Sequence, residues 1–343
     1  MKIEPNYPLD NYNTFGLRAK ARRFVEYDSE EDLHLIINNK YFPEIHLLHI
    51  GRGSNLLFLN DEEDFVLHSA IKGIRIVGET DESVLLRVGA AEIWDDVVAF
   101  AVGKGWGGIE NLSLIPGETG AAAVQNIGAY GAEIKDAVET VEAISRFTAE
   151  KRIFTNAECC YNYRDSFFKR REGESYFVTY VTLHLAKHPR LNLKYNELGE
   201  LMASQPSPTP AGVREAVIGL RRRKLPDPSE LGNAGSFFVN PSVSTTHFER
   251  LRGEFPDMPF YPAKDGMVKL SAGWLIERCG LGGVRKGNVG TCAHRATVIV
   301  NYGGATGGEI ATFAGQIRER VGRRFDVWLV PEVKYVGQPA RLE

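Results

Sequence analysis

Nowhere in these 343 residues do 18 apolar residues run together, so no helix long enough to cross a bilayer is expected. The segment from Met1 to Phe15 lacks the apolar stretch of a secretory signal, and a cytoplasmic protein that does not bind membranes is expected. Charge of one sign is lacking too. The 41 Lys and Arg stand against 44 Asp and Glu, a net charge of −3, whereas a dedicated nucleic-acid binder carries a clear positive excess. Cysteine is scarce: Cys159, Cys160, Cys279 and Cys292 form no Cys-x-x-Cys pair and read as reduced structural thiols. His184 and His188 lie four apart in a strand-like segment with no Glu between them, so no metal site is expected.

What is plentiful is glycine, 35 residues in an otherwise ordinary globular composition. This length predicts two or three compact units. A strand is expected at 22–28. Ser29 with Asp32 then opens a helix whose apolar face is Leu33, Ile36 and Ile37. Strands are predicted at Ile45–Ile50, Leu56–Leu59, Phe65–His68, Ile74–Val77 and Val84–Val88, and a helix from about Ala91 to Lys104. Strict alternation marks Phe177–Leu185 as a strand. Three prolines in Gln205–Pro210 suggest a domain boundary near 205–215, before a basic helix ending in Arg221–Lys224. Thr306 and Glu309 form a capping box for a last helix carrying Ile310, Phe313, Ile317 and Val321, and a closing strand is predicted over Val327–Val336. The class is α+β, not an alternating βαβ array.

Several segments could carry chemistry. Gly51-Arg52-Gly53-Ser54-Asn55 starts like a dinucleotide fingerprint, but its third glycine is missing and a strand follows, so the Rossmann reading fails. A phosphate cradle of backbone N–H groups and a plain tight turn both remain open. In the stretch 115–131, glycines 117, 120, 128 and 131 and alanines 121, 122, 123 and 129 strip away side-chain bulk. That suits close approach to a flat or phosphorylated ligand, or close packing of a small-residue helix. Arg164 has a carboxylate next to it, and its bland reading is an ion pair with Asp165. Ser236 lacks the Gly two positions on that a Gly-x-Ser-x-Gly elbow needs, which disfavours a hydrolase. Glu332 sits in an apolar segment where a carboxylate is costly to bury unless paired or functional. The basic run 221–224 is either a solvated helix face or a grip for a diphosphate.

Taken together, the stretches Asn13–Phe15, Gly51–Asn55, Gly108–Leu112, Ile115–Gly117, Gln125–Gly131, Tyr163–Ser166, Lys224–Pro228, Gly232–Phe238, Ala272–Ile276 and Pro331–Val333 resemble, in order, the UDP-N-acetylenolpyruvoylglucosamine reductase family, flavin enzymes of early peptidoglycan synthesis. The resemblance implies a two-lobed FAD domain of the vanillyl-alcohol-oxidase type, at 1–70 and 71–205, with a lid loop near 190–200. It further implies a smaller α+β substrate domain at 212–326 and a strand at 327–343 returning to the active site. FAD would be held by Gly51, Arg52, Gly53, Ser54, Asn55, Ile115, Pro116, Gly117, Gly120, Ala121, Asn126, Ile127 and Gly128. Arg164, Ser236 and Glu332 match the family's catalytic positions. Substrate contacts would come from Tyr130, Tyr163, Arg221, Lys224, Asn240 and Tyr261, with Tyr195 closing as a lid.

The implied reaction takes hydride from NADPH through flavin N5 to C3 of the enolpyruvyl ether, with a proton from Ser236 to C2. Arg164 and Glu332 would stabilise the enolic charge, and Lys224 would support the serine. A monomer is expected. Two departures stand out: Lys334 replaces a family arginine, which keeps the charge and loses bidentate contact, and Arg295 takes the place of a polar diphosphate ligand. Rival readings are another FAD oxidoreductase of the superfamily and a non-catalytic, colourless nucleotide-sugar binder.

Overall fold

The computed structural model describes residues 1–39, 47–60, 62–203, 205–263 and 266–337. They form two compact units, each assembled from separated pieces of chain. The first comprises Met1–Tyr7, Ala21–Arg52 and Glu63–Arg221; the second comprises Pro8–Lys20, Gly53–Glu62 and Arg222–Glu343.

The first unit holds two sheets. In the four-stranded sheet the order is Lys2–Pro8, Lys20–Tyr27, Glu62–Ser69 and Leu47–Ile50, the last pair parallel. Helix Glu30–Ile37 packs on it, started by Ser29, whose hydroxyl accepts the Asp32 N–H, and burying Leu33 and Ile37. The expected strand at 45–50 is seen from Leu47; Ile45 and His46 lie outside the described residues. The second sheet is antiparallel, in the order Lys151–Thr155, Val138–Ser145, Tyr176–Ala186, Ser83–Gly89 and Ile74–Glu79. Helix Trp94–Gly103 closes one face of its core through Trp94, Val97, Val98 and Ala101. Val97 and Val98 each contribute about 1.5–3 kcal/mol by leaving water.

The proline run does not divide the units. Helix Pro210–Lys224 stays with the first unit through Arg221, because Val213, Val217 and Leu220 bury against Leu198 and Met202. Arg214 adds a forked ion pair to Asp95 at 2.6 and 2.9 Å.

In the second unit, strands Gly232–Ser236, Arg295–Asn301, Val289–Cys292 and Arg285–Lys286 form an antiparallel sheet covered by helix Gly307–Phe325. That helix begins with the expected Thr306–Glu309 capping box, a device worth about 1 kcal/mol. A three-stranded sheet, Ser242–Ser244, Met267–Leu270 and Phe260–Pro262, completes the unit. The predicted closing strand is shorter than expected. Only Lys334–Val336 pairs, in parallel with Leu56–Phe58, while Pro331 makes an isolated bridge to Phe238. A proline has no N–H to carry a ladder through that point.

Candidate active site

The Gly51–Asn55 turn leaves the strand Leu47–Ile50 and leads into Leu56–Phe58. Glycine is required at Gly53, whose φ is +66° and where an added Cβ would stand 1.7 Å from the Tyr12 carbonyl oxygen. Among the described residues, the amides of Arg52, Gly53 and Asn55 donate to no protein acceptor. N–H groups left unspent in a tight turn suit an anion, so the turn fits a cofactor diphosphate. Asn55 is also a tie: its side chain donates to the Glu332 carbonyl at 3.1 Å, and its carbonyl accepts the Lys334 N–H at 3.0 Å.

The small-residue stretch contains a helix, Thr119–Gln125, in line with the close-packing reading. Gly120 packs on Ala90, where a Cβ would meet the alanine methyl at 2.8 Å, while Ala121 is exposed. Asn126 ends the helix in the left-handed conformation and is fully buried. Its side chain donates to the Asn162 carbonyl at 2.7 Å and to Glu133 at 3.2 Å. Its side chain is thus committed to protein partners. Upstream, Leu114 is also left-handed. It is held there by its N–H to Asp95 and by Arg221 Nε, which donates to its carbonyl at 3.2 Å. Burial disfavours a charged Asp95, but Arg214, the Leu114 N–H and Arg221 outweigh it and hold the carboxyl below its usual range. Ile115, Pro116 and Gly117 continue from this anchored residue.

Arg164 does not form the expected pair with Asp165, which instead pairs with Arg170 at 3.2 Å. The Arg164 guanidinium donates to the Gly128 carbonyl at 2.5 Å and lies over the Tyr163 ring. A side chain at Gly128 would collide with it at 2.7 Å. Arg164, Asn126 and Tyr130 all take positive φ, and such strained positions cluster at functional sites. The segment around Asn192 and Tyr195 is fastened close by. Asn111 donates to the carbonyls of Tyr130 and Asn192, Asn192 donates back to Gly131, and the Tyr195 ring meets Tyr130 edge-on at 5.1 Å. Ile127 packs on the core of the second sheet.

In the second unit, Ser236 ends its strand behind a bulge: Asn233 pairs with Val300 and Ser236 with Val298, leaving Ala234 and Gly235 unpaired. Its hydroxyl lies 3.1 Å from that of Thr297. The Glu332 N–H donates to the Phe237 carbonyl at 2.8 Å, so Ser236 and Glu332 stand on adjoining segments. Asn240 accepts the Ala272 N–H, Tyr261 is exposed on its strand, and Lys224 is the half-buried last residue of its helix.

Thr297 is a partner that the sequence reading missed, since a threonine inside a β-branched strand carries no signal of its own. Also missed was a buried chain beneath the Gly51 turn. His68 Nδ1 lies 2.9 Å from Glu26 and its Nε2 lies 3.3 Å from Glu118. Glu118, a carboxylate inside the small-residue stretch, was the visible clue.

Residues 227–336 match the family model described as UDP-N-acetylenolpyruvoylglucosamine reductase, C-terminal domain, and residues 21–149 match the FAD binding domain. The UDP-N-acetylenolpyruvoylglucosamine reductase of Porphyromonas gingivalis is 46% identical over 337 residues, 98% of this chain and 100% of that one. Those of Bacteroides fragilis and Pseudomonas aeruginosa are each 44% identical over 334 residues, 97% of this chain and 100% and 98% of theirs. The crystal structure of the enzyme from Thermus caldophilus shares the fold, with a TM-score of 0.69 at 23% identity, covering 98% of this chain and 99% of that one. The two-lobed FAD-domain class with a smaller α+β domain agrees with these matches. At such identity over nearly its whole length, the chain belongs to the UDP-N-acetylenolpyruvoylglucosamine reductase family.

Proposed function

We propose that this chain uses FAD and NADPH to reduce UDP-N-acetylenolpyruvoylglucosamine to UDP-N-acetylmuramate, in the cytoplasm and as a monomer. The observation that carries the reading is the adjoining placement of Ser236 and Glu332, with the Glu332 N–H on the Phe237 carbonyl and the Glu332 carbonyl tied to Asn55. The Gly51–Asn55 turn would hold the diphosphate of FAD, and the backbone of 115–121 and 126–128 would accommodate its ring system. Bound FAD supplies the hydride, drawn from NADPH, that reaches C3 of the enolpyruvyl ether.

The chain's own residues do the rest. Arg164, whose guanidinium donates to the Gly128 carbonyl, lends its positive charge to the enolate that develops into the substrate carboxylate. Glu332 contributes protonated or hydrogen-bonded, because a bare carboxylate would repel that charge. Ser236 delivers the proton to C2. Its hydroxyl is oriented by Thr297, and Lys224 compensates the alkoxide left behind. Arg221, Asn240, Tyr130, Tyr163 and Tyr261 bind the nucleotide sugar, and Tyr195 closes over it.

The test is optical. Purified protein is expected to be yellow, to bleach with NADPH, and to recover its colour anaerobically on adding the enolpyruvyl nucleotide sugar. A colourless protein that takes up no FAD overturns the reading. In Ser236→Ala, bleaching should persist while recovery slows by about 10²-fold or more, the usual scale of a lost proton donor. Recovery at the wild-type rate removes Ser236 from its role.

A further inference from the structure

The proposed reaction makes no use of the chain Glu26–His68–Glu118. All three lie in the first unit: Glu26 on Lys20–Tyr27, His68 on Glu62–Ser69, and Glu118 just before helix Thr119–Gln125. His68 and Glu118 are 7% and 6% exposed. Glu118 presses on the cofactor turn, its Oε2 only 2.9 Å from where a Cβ on Gly51 would stand. On the diphosphate reading of that turn, a buried carboxylate so placed opposes the ligand unless a cation neutralises it. His68 is placed to be that cation.

We propose that His68 is a positioning residue for FAD, its imidazolium cancelling the Glu118 charge beneath the Gly51 turn, so that flavin retention falls as His68 loses its proton. The inference rests on the function proposed above. Burial alone would push His68 down, but the hydrogen bond and charge of Glu118, and then of Glu26, hold it above the usual histidine range. Of the other groups facing it, His49 on the neighbouring strand Leu47–Ile50 is pushed down to about 3 by burial and by the His68 charge. Tyr27, hydrogen-bonded to His49, is pushed up by burial, and both stay neutral. The Phe24 ring stacks on His68, and Arg52 lies exposed in the turn itself. Among these groups His68 is the one whose charge the flanking carboxylates sustain above the usual histidine range.

Linkage then demands that FAD raise the affinity of His68 for its proton by the same factor that protonation raises the affinity for FAD. By nuclear magnetic resonance, the His68 pKa should be about one unit higher in FAD-loaded protein than after FAD removal, and FAD release, read by flavin fluorescence, should rise about tenfold as pH passes it. Glu118→Gln should abolish this pH step and keep its flavin at high pH. Glu26→Gln, on the more exposed outer arm, should move the step to lower pH, which serves if the buried variant does not fold. Equal His68 pKa values with and without FAD overturn the inference, as does pH-independent release from protein that does bind FAD, or a step unmoved by Glu26→Gln. A protein that takes up no FAD at any pH overturns the functional reading and this inference with it.

Discussion

Gly53 in the Gly51–Asn55 turn and Gly235 in the bulge before Ser236 share a left-handed φ, +66° and +68°, in opposite surroundings. At Gly53 an added Cβ would meet the backbone carbonyl of Tyr12 at 1.7 Å; at Gly235 nothing lies within 4 Å. One glycine is there because two stretches of main chain touch. The other is there because the chain must turn, its N–H taken by the Asn233 side chain at 2.9 Å. Leu114 shows a third solution. It is left-handed without glycine, its N–H and carbonyl gripped by Asp95 and Arg221.

The sharpest way to break this comparison is Gly53→Ala. Main chain cannot step aside as a flexible side chain can, so the expected loss exceeds about 4 kcal/mol, visible as collapse of soluble yield or of cooperative thermal unfolding. Asp95→Asn comes next. It leaves Arg214 half-buried without its carboxylate and weakens the grip on Leu114 to a neutral acceptor, for an expected loss of about 2–3 kcal/mol by urea unfolding. Because the Asp95 carboxyl is held low in the folded chain, its contribution is present above the ordinary carboxylate value near 3.9 and fades as pH falls through the folded one. Wild type and Asp95→Asn should therefore converge in stability in acid, and a gap that persists there denies the ion pair its role. Gly235→Ala should cost least, about 1–2 kcal/mol of left-handed strain, without collapse. Equal losses at Gly53 and Gly235 would dissolve the distinction.

Much of this was legible in local patterns. Ser29 with Asp32 and Thr306 with Glu309 announced two helix starts, and both formed. The alternation in 177–185 announced a strand, found as Tyr176–Ala186. Such signals depend on neighbours a few residues away. Where the reading went astray, a distant partner had decided. The prolines of 205–210 looked like a boundary, yet the helix they precede is held by Asp95, more than a hundred residues earlier. Arg164 had an adjacent carboxylate and found its partner in the Gly128 carbonyl. The segment 327–333 was apolar enough for a strand, but Pro331 limits it to an isolated bridge.

Composition and motif order, by themselves, determined the class, the family and the residue types available for chemistry. Each of these follows from local periodicity, capping and the order of short motifs along the chain. Only the tertiary structure placed Thr297 beside Ser236, tied Asn55 to Glu332, and slid Glu118 and His68 under the Gly51 turn. Those pairings join residues roughly 50 to 280 positions apart. Packing and the burial of charge select them, and neither leaves a mark in the adjacent sequence.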